Sequence, residues 1–229
     1  MKTIGLIGGI TWLSTIDYYR LFNQAVNEKF GGVASAKVFL ASVDFSEIKA
    51  LVEKYNWDGI AGIMVNAAVK VQQAGADCIV IAANTMHKVA DNVRQTTNIP
   101  LIHIGEATAT AVSAKGLKTV ALLGTKYTMQ LDFYRNKLAE KNIATIIPGE
   151  DDIEFINDSI FIEMGAGVFL PETKARYKTI INKLIGQGAE GIVLGCTEIP
   201  IIIKQADCSV PVFDTTAIHA QAVIDFVLG

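Results

Sequence analysis

Short runs of branched apolar residues alternate along the chain with longer segments whose apolar positions recur every three or four residues. The short runs are typical of buried strands, and the longer segments are typical of helices that pack one face against a sheet. Strands are predicted at 3–7, 37–43, 77–82, 101–104, 118–123, 144–147, in the run that ends at Cys196, and at 210–213. Helices are predicted at about 16–30, 58–74, 106–115, 129–141, 152–164, 171–187 and 216–228. This alternation predicts an α/β fold with mainly parallel sheets.

One of these strands occurs twice in similar form. The stretch 188–198, GAEGIVLGCTE, lies over 75–85, GADCIVIAANT, without a gap. In this alignment Asp77 matches Glu190, Asn84 matches Thr197 and Ala83 falls opposite Cys196. Residues that follow a parallel strand lie at its carboxyl edge, where open α/β folds bind their ligands. The repeat therefore directs attention to positions 83 and 196.

Two further pairs of segments keep the same order in the chain. Residues 2–9 recur as 118–125, and residues 99–102 recur as 210–213. Three matches at nearly constant spacing predict two pseudo-symmetric, Rossmann-like α/β domains. We expect the first domain to comprise 1–103 plus 215–229 and the second 104–214, with the active site in the cleft between them.

Composition limits the classes of function. The 20 basic and 23 acidic residues leave a net charge of −3, and the scattered Lys and Arg argue against a nucleic-acid partner. No apolar run approaches the roughly 20 residues of a membrane span. Met1 leads directly into the first strand without a secretory leader, so a cytoplasmic protein is expected. The three cysteines fit neither a disulfide framework nor a structural zinc site. The chain lacks the GxGxxG motif, so a dinucleotide-binding site is not predicted.

Cys196 is the strongest chemical candidate. Its position between a strand end and a helix start predicts that backbone N–H groups and the helix dipole lower the pKa of its thiol. The same N–H groups, together with Asn84, Thr85 and Thr197, are suited to hold a carboxylate. The alternative is an inert buried cysteine, which is the reading favoured for Cys78 early in its strand.

The remaining candidates have structural readings as well. Thr11 lies close to the first strand end and is a site candidate, whereas Ser14 and Asp17 are spaced like a capping box and Trp12 is consistent with a packed side chain. His87 fits either a satisfied histidine or an acid–base group. The acidic, turn-forming stretch 148–152 predicts a surface loop.

Three motifs together resemble one family. Residues 8–15 (GGITWLST), 84–87 (NTMH) and 195–199 (GCTEI) are similar to the aspartate/glutamate racemases, in particular their bacterial acidic-amino-acid racemase branch. The resemblance runs the length of the chain. It implies a homodimer that racemises aspartate or glutamate without pyridoxal phosphate or any other cofactor, and without a metal.

The resemblance also implies roles for individual residues. Asn84, Thr85 and Thr197 would bind the α-carboxylate, and Thr11 would contact the amino end. Cys196 would be one of two acid–base groups, each serving one face of the α-carbon. Further candidates near these motifs are as follows: Thr125 for substrate binding, with His87, Trp12 and Glu198 as possible site residues.

Ala83 departs from this pattern, because the family has a cysteine or a threonine there and a methyl group carries no proton. Three explanations are open: a substitution that traps substrate, a poor second acid such as water, His87 or Thr85, or drift to another reaction. The first is favoured because the surrounding residues match the two-base pattern. The chain is thus expected to be an impaired racemase.

Two alternatives compete with an impaired racemase. A single-cysteine decarboxylase similar to the arylmalonate decarboxylases would explain Ala83 directly, and a catalytically inactive amino-acid binding protein would retain only the site. The cation that meets a side-chain carboxylate is left open among five residues. These are Lys54, Lys88, Lys126, Arg135 and Arg176.

Overall fold

The structure is a computed structural model that describes residues 1–229. It contains two sheets, and every strand pair in them is parallel. The chain divides into two compact units, Met1–His103 with His219–Gly229, and Ile104–Ile218. The predicted α/β class with parallel sheets is confirmed. No helix combines the length and the apolar character needed to cross a membrane.

The first unit is built on a three-stranded sheet of order β2-β1-β3. Its strands are β1 (Ile4–Gly8), β2 (Val38–Ser42) and β3 (Cys78–Ile81). Its helices in the first part of the chain are α1 (Trp12–Phe30), α2 (Phe45–Glu53), α3 (Trp57–Gln73) and α4 (Ala90–Thr96). A 3₁₀ turn, Thr85–Val89, leads from the end of β3 into α4.

The second unit is built on a four-stranded sheet of order β5-β4-β6-β7. Its strands are β4 (Thr119–Gly124), β5 (Ala144–Ile146), β6 (Ile192–Gly195) and β7 (Val212–Asp214). Its helices are α5 (Ile104–Ala114), α6 (Lys126–Gln130), α7 (Asp132–Ala139), α8 (Glu150–Asp158), α9 (Pro171–Gly186) and α10 (Ile199–Ile202). The last helix, α11 (Thr215–Leu228), begins in the second unit, and its residues from His219 onward belong to the first.

The core of the first unit joins distant parts of the chain. Ile4 and Leu6 of β1 and Phe22 of α1 pack in one cluster with Val223 and Val227 of α11. All five side chains are almost completely buried. Because burial of apolar surface is the main stabilising contribution, the first unit depends on the C-terminal helix for part of its core.

A carboxylate binds the start of the neighbouring strand in each sheet. Asp77, just before β3, accepts a hydrogen bond from the backbone N–H of Thr3 at 2.6 Å. Glu190, just before β6, accepts from the N–H groups of Lys118 and Thr119 at 2.6 and 2.9 Å. These two backbone hydrogen bonds lower the pKa of Glu190. Asp77 and Glu190 are the pair that the sequence repeat aligns, so the repeat extends to a structural contact.

A buried tyrosine hydroxyl also recurs in both units. In the first, the hydroxyl of Tyr18 on α1 lies 2.7 Å from Nδ1 of His219 on α11. In the second, the hydroxyl of Tyr134 on α7 donates to Oγ1 of Thr108 on α5 at 3.0 Å. Each bond joins two helices of the same unit.

The predicted strand 101–104 is wrong. Leu101 makes only an isolated parallel bridge with Ile79, and α5 begins at Ile104. Only two ladder bonds continue the sheet at this point, the N–H of Ile79 to the carbonyl of Pro100 and the N–H of Ile102 to that of Ile79. Proline carries no N–H, which limits the pairing on its side.

The predicted surface loop 148–152 is also wrong, because α8 begins within it at Glu150 with Gly149 as its N-cap residue. The three acidic residues 150–152 occupy its first turn, where the positive end of the helix dipole stabilises negative charge. The helix predicted at 152–164 ends at Asp158. It continues as a π-helical turn over Ser159–Glu163 and a 3₁₀ turn over Met164–Ala166.

The start of α1 differs from the predicted capping box. Thr11 is the N-cap residue, and its Oγ1 accepts from the N–H of Ser14 at 3.4 Å. Ser14 lies inside the helix and donates its hydroxyl to the carbonyl of Thr11 at 2.8 Å. Trp12 is 64% exposed, so the expected packed side chain is wrong too. Similarly, the helix predicted at 129–141 is divided into α6 and α7 at Leu131, whose backbone is extended.

The pairing of Gly124 with Gly195 gives a test of how closely the strand ends must approach. A Cβ at position 124 would lie 2.7 Å from the carbonyl oxygen of Gly195. We therefore expect Gly124→Ala to lower the free energy of unfolding by about 1–3 kcal/mol, measured by urea denaturation. Gly186→Ala is the control, since a Cβ there meets nothing within 4 Å and stabilises the end of α9 by up to about 1 kcal/mol. Equal effects from both substitutions would contradict the close approach.

Candidate active site

The two strand ends singled out by the repeat are built in the same way. β3 ends at Ile81 and is followed by Ala82, Ala83 and Asn84 before the 3₁₀ turn. β6 ends at Gly195 and is followed by 196–198 before α10. Both segments leave a strand at its carboxyl edge, where α/β folds carry their functional groups. Each end belongs to its own unit.

Cys196 is held by the side chain of Glu198. Its thiol donates to Oε2 of Glu198 at 2.9 Å, and the hydroxyl of Thr197 donates to the same oxygen at 2.8 Å. Cys196 is 9% exposed and Glu198 is 5% exposed. A buried carboxylate thus accepts the protons of both neighbouring side chains. The sequence predicted Glu198 only as a possible site residue. Its contacts with Cys196 and Thr197 depend on the conformation of its side chain, which no sequence pattern indicates.

The predicted lowering of the Cys196 pKa is wrong. Burial raises the pKa of the thiol well above its ordinary value, and the charge and hydrogen bond of Glu198 raise it further. The backbone N–H groups of Glu198 and Thr197 act in the opposite direction but are weaker. The following helix, α10, spans only four residues, Ile199–Ile202. Cys196 is therefore a thiol at neutral pH.

A buried hydroxyl pair lies in the same core as Cys196. The hydroxyls of Tyr177 on α9 and Ser159 in the π-helical turn are 3.0 Å apart, and Ser159 donates to the carbonyl of Ile156 at 2.8 Å. Burial raises the pKa of Tyr177, and the hydrogen bond with Ser159 acts in the opposite direction but is weaker. Tyr177 lies on the buried face of α9.

Ala83 is buried at the other strand end, and its backbone carbonyl is the acceptor for a histidine. Nδ1 of His87 lies 2.8 Å from the oxygen of Ala83. Since a carbonyl only accepts, Nδ1 carries the proton of this bond. Asn84 is buried and Thr85 is half-buried, and the side chain of Asn84 does not cap the 3₁₀ turn. The expected ligand-binding side chains of the first unit thus follow directly after position 83.

His87 lies in a stack that contains all three histidines of the chain. Its ring centroid is 4.5 Å from that of His103 and 5.6 Å from that of His219. Burial lowers the pKa of His87 well below its usual range, and the two neighbouring histidines lower it further. His87 is therefore uncharged at neutral pH.

His219 anchors the other side of the stack. Its Nε2 donates to the carbonyl of Ile102 at 2.8 Å, so its Nδ1 accepts from the hydroxyl of Tyr18 at 2.7 Å. Burial lowers the pKa of His219 to about 4. No group of three His, Cys, Asp or Glu side chains in the chain has an arrangement that could hold a metal ion.

The predicted site threonines of the two first loops have matching positions. Thr11 is the N-cap residue of α1, and Thr125 is the N-cap residue of α6. The Oγ1 of Thr125 accepts from the N–H of Thr128 at 3.3 Å, as that of Thr11 does from Ser14 at 3.4 Å. Both bonds are long for N–H···O contacts, and the Oγ1 of Thr125 also lies 3.3 Å from that of Thr128.

The two candidate arginines are engaged by other groups. Arg135 makes an ion pair with Asp132 at 2.7 Å and donates to the carbonyl of Gln130 at 2.9 Å. Arg176 lies 3.9 Å above the ring centroid of Phe155. Among the three lysines, Lys126 lies over the ring of Tyr127, while Lys54 and Lys88 are exposed.

The fold and the two strand ends define a class of enzyme. Residues 7–223 match the model of the Asp/Glu/Hydantoin racemase family, and the chain belongs to this family. The resemblance noted in the sequence is thereby confirmed at the level of the family. The match extends from β1 into α11 and includes both strand ends.

Individual relatives agree with this assignment. A crystal structure of a candidate Asp/Glu racemase from Yersinia pestis is 47% identical, covers 100% of both chains and superposes with a TM-score of 0.93. That of an aspartate racemase homologue from Pyrococcus horikoshii OT3 is 38% identical over 100% of both chains, with a TM-score of 0.87. The broad specificity amino-acid racemase RacX of Bacillus subtilis (strain 168) is 25% identical over 75% of this chain and 74% of its own.

The hydrogen bond between Cys196 and Glu198 predicts a change in thiol reactivity. Glu198→Gln removes the negative charge beside the sulfur, so the pKa of Cys196 falls and more thiolate is present at pH 8. We expect alkylation of Cys196 by iodoacetamide, followed by peptide mass spectrometry, to accelerate on the order of three- to tenfold. Cys208, which is partly exposed, is the internal control and keeps its rate. An unchanged or slower reaction at Cys196 would contradict the role of the carboxylate.

The lowered pKa values of His87 and His219 predict a dependence of stability on pH. The unfolded chain binds protons to these histidines near pH 6.5, whereas the folded chain does so only at lower pH, near 4 for His219. Stability is therefore complete above pH 6.5 and is lost as the pH falls toward 4. Between pH 6.5 and 5 we expect a loss of up to about 2 kcal/mol per histidine in urea unfolding. A flat profile in this window would show that the stack is solvated.

Proposed function

We propose that the protein is a cofactor-independent amino-acid racemase in which Cys196 is one acid–base group and residue 83 occupies the position of the other. The observation that supports it best is the thiol of Cys196, buried at the carboxyl end of β6 and hydrogen-bonded to Glu198 at 2.9 Å, in a chain of the racemase family. Proton transfer to or from an α-carbon needs a group that both donates and accepts, and a thiol does so.

In this proposal Glu198 converts the thiol of Cys196 into a thiolate by accepting its proton. When the thiol proton moves to Oε2 of Glu198, the thiolate left on Cys196 accepts the α-proton of an amino acid, and the electron pair stays on the α-carbon. In the reverse direction the thiol returns a proton to the same face. The hydroxyl of Thr197, 2.8 Å from the same carboxylate oxygen, holds that oxygen in position beside the sulfur.

We propose that the substrate's α-carboxylate is bound by Asn84, Thr85 and Thr197, and that Thr11 and Thr125 contact the amino end. The matching N-cap positions of the two threonines, at the starts of α1 and α6, support this role. The proton of the Thr197 hydroxyl points to Glu198, so this hydroxyl must rotate before it donates to a carboxylate.

Alanine at position 83 leaves one face of the α-carbon without a proton carrier. The methyl group neither donates nor accepts, and the neighbouring His87 is uncharged with its Nδ1 proton bound to the carbonyl of Ala83. We therefore propose that the protein exchanges the α-proton through Cys196 and racemises slowly.

Aspartate and glutamate are the substrates that the resemblance favours, but the structure also supports a second class. The nearest charge to Cys196 is the acidic Glu198, and both candidate arginines are engaged by other groups. The Bacillus subtilis relative is named a broad specificity amino-acid racemase. We propose neutral amino acids as the alternative substrates. We also propose that the protein is a homodimer, which light scattering tests.

Restoring a proton carrier at position 83 tests the proposed reaction. We expect Ala83→Cys to raise racemisation of the preferred amino acid about 100-fold or more, measured by chiral chromatography on L- and D-forms of acidic and neutral amino acids. In the parent, we expect only one enantiomer to exchange its α-hydrogen with deuterated water, because Cys196 serves one face.

Cys196→Ala in either background is the control and abolishes both exchange and racemisation. Equal exchange from both enantiomers in the parent would refute the one-face mechanism. Decarboxylation of malonates by the parent would favour the single-cysteine decarboxylase. Binding without exchange, and no gain from Ala83→Cys, would indicate an amino-acid binding protein.

A further inference from the structure

We propose that His87 is a positioning residue that fixes the backbone at position 83 through its bond to the Ala83 carbonyl, and that the buried histidine stack holds His87 in place. This inference rests on the proposed function, because the direction of the side chain at position 83 affects the reaction only when that side chain carries an acid–base group. His87 acts on the peptide of residue 83 and not on the substrate.

The bond itself fixes a backbone torsion. Nδ1 of His87 donates to the carbonyl oxygen of Ala83 at 2.8 Å inside the protein, where both groups are shielded from water. The preceding residue is held as well, because the N–H of Ala82 donates to the carbonyl of Ile7 at 2.9 Å. With both sides of position 83 fixed, the direction of its Cα–Cβ bond is determined. Misplacement of a reacting group by about 1 Å can cost on the order of 100-fold in rate.

The stack restricts how the ring of His87 can move. His103 packs edge-on at 4.5 Å between centroids and His219 does so at 5.6 Å. His219 is itself fixed at both nitrogens, by Tyr18 and by the carbonyl of Ile102. A buried network whose members are satisfied is rigid, and it specifies one arrangement more strongly than apolar packing does.

The second unit uses a different device at the aligned strand end. Pro200 stands at the place that corresponds to His87, so no imidazole reaches the carbonyl of Cys196 from there. Glu198 binds the sulfur directly instead. The first unit therefore controls its strand-end residue through the backbone, and the second through the side chain.

The test uses two isosteres of histidine in the Ala83→Cys background. Asn places an amide N–H near the position of Nδ1, whereas Gln places it near that of Nε2. We expect His87→Gln to lower kcat at least tenfold with KM changed less than twofold, and His87→Asn to retain most of kcat. Tyr134→Phe is the matched control. It removes a buried tyrosine hydrogen bond in the second unit, lowers stability to a similar extent, and leaves kcat unchanged.

A second readout does not depend on turnover. In Ala83→Cys/Cys196→Ala, the alkylation rate of the introduced thiol is followed against pH by peptide mass spectrometry. We expect His87→Gln to change this rate threefold or more, with recovery in His87→Asn and no effect of Tyr134→Phe. If alkylation responds in this way but Ala83→Cys does not racemise, the proposed function fails while the positioning role stands. If Gln and Asn behave alike, or like Tyr134→Phe, the positioning role is overturned.

Discussion

The hydrogen bonds that Asp77 and Glu190 accept from the starts of β1 and β4 fix where the neighbouring strands β3 and β6 end. A slip of one residue in a parallel pair would turn every following side chain to the opposite face. Both side chains accept hydrogen bonds from backbone N–H groups, and such bonds to carboxylate oxygens are stronger than bonds between neutral groups. The chemistry at positions 83 and 196 therefore depends on contacts made at the opposite ends of the same strands.

The two halves share a scaffold and differ in the groups that surround its functional ends. Burial and Glu198 keep the sulfur of Cys196 protonated, so this strand end offers a proton in its resting state. At the other end, an uncharged His87 binds a backbone oxygen beside a methyl group. The scaffold repeats because strand register and helix packing tolerate little change, whereas one or two side chains beyond each strand decide the reactivity.

Strand positions and the family were accessible from the sequence, because branched apolar runs followed by small residues are dictated by burial. The acidic start of α8 was missed because charged residues after Pro-Gly suggest a loop, although they also stabilise a helix N-terminus. The direction of the Cys196 pKa was missed because it depends first on the burial of the thiol and then on the rotamer of Glu198. The histidine stack could not be predicted from the sequence, because His103 and His219 are distant from His87 along the chain and no periodic pattern relates the three positions.

The place of α11 in the first core has a consequence for biosynthesis. Residues 219–229 complete a unit whose other part ends at His103, while Ile104–Ile218 is continuous. A ribosome synthesises the chain from its N-terminus, so β1 and α1 precede Val223 and Val227 by the whole length of the second unit. The continuous unit can close while synthesis proceeds, and the first can close only afterwards. Completion of the first core therefore requires that residues 104–218 be synthesised before its last helix is available.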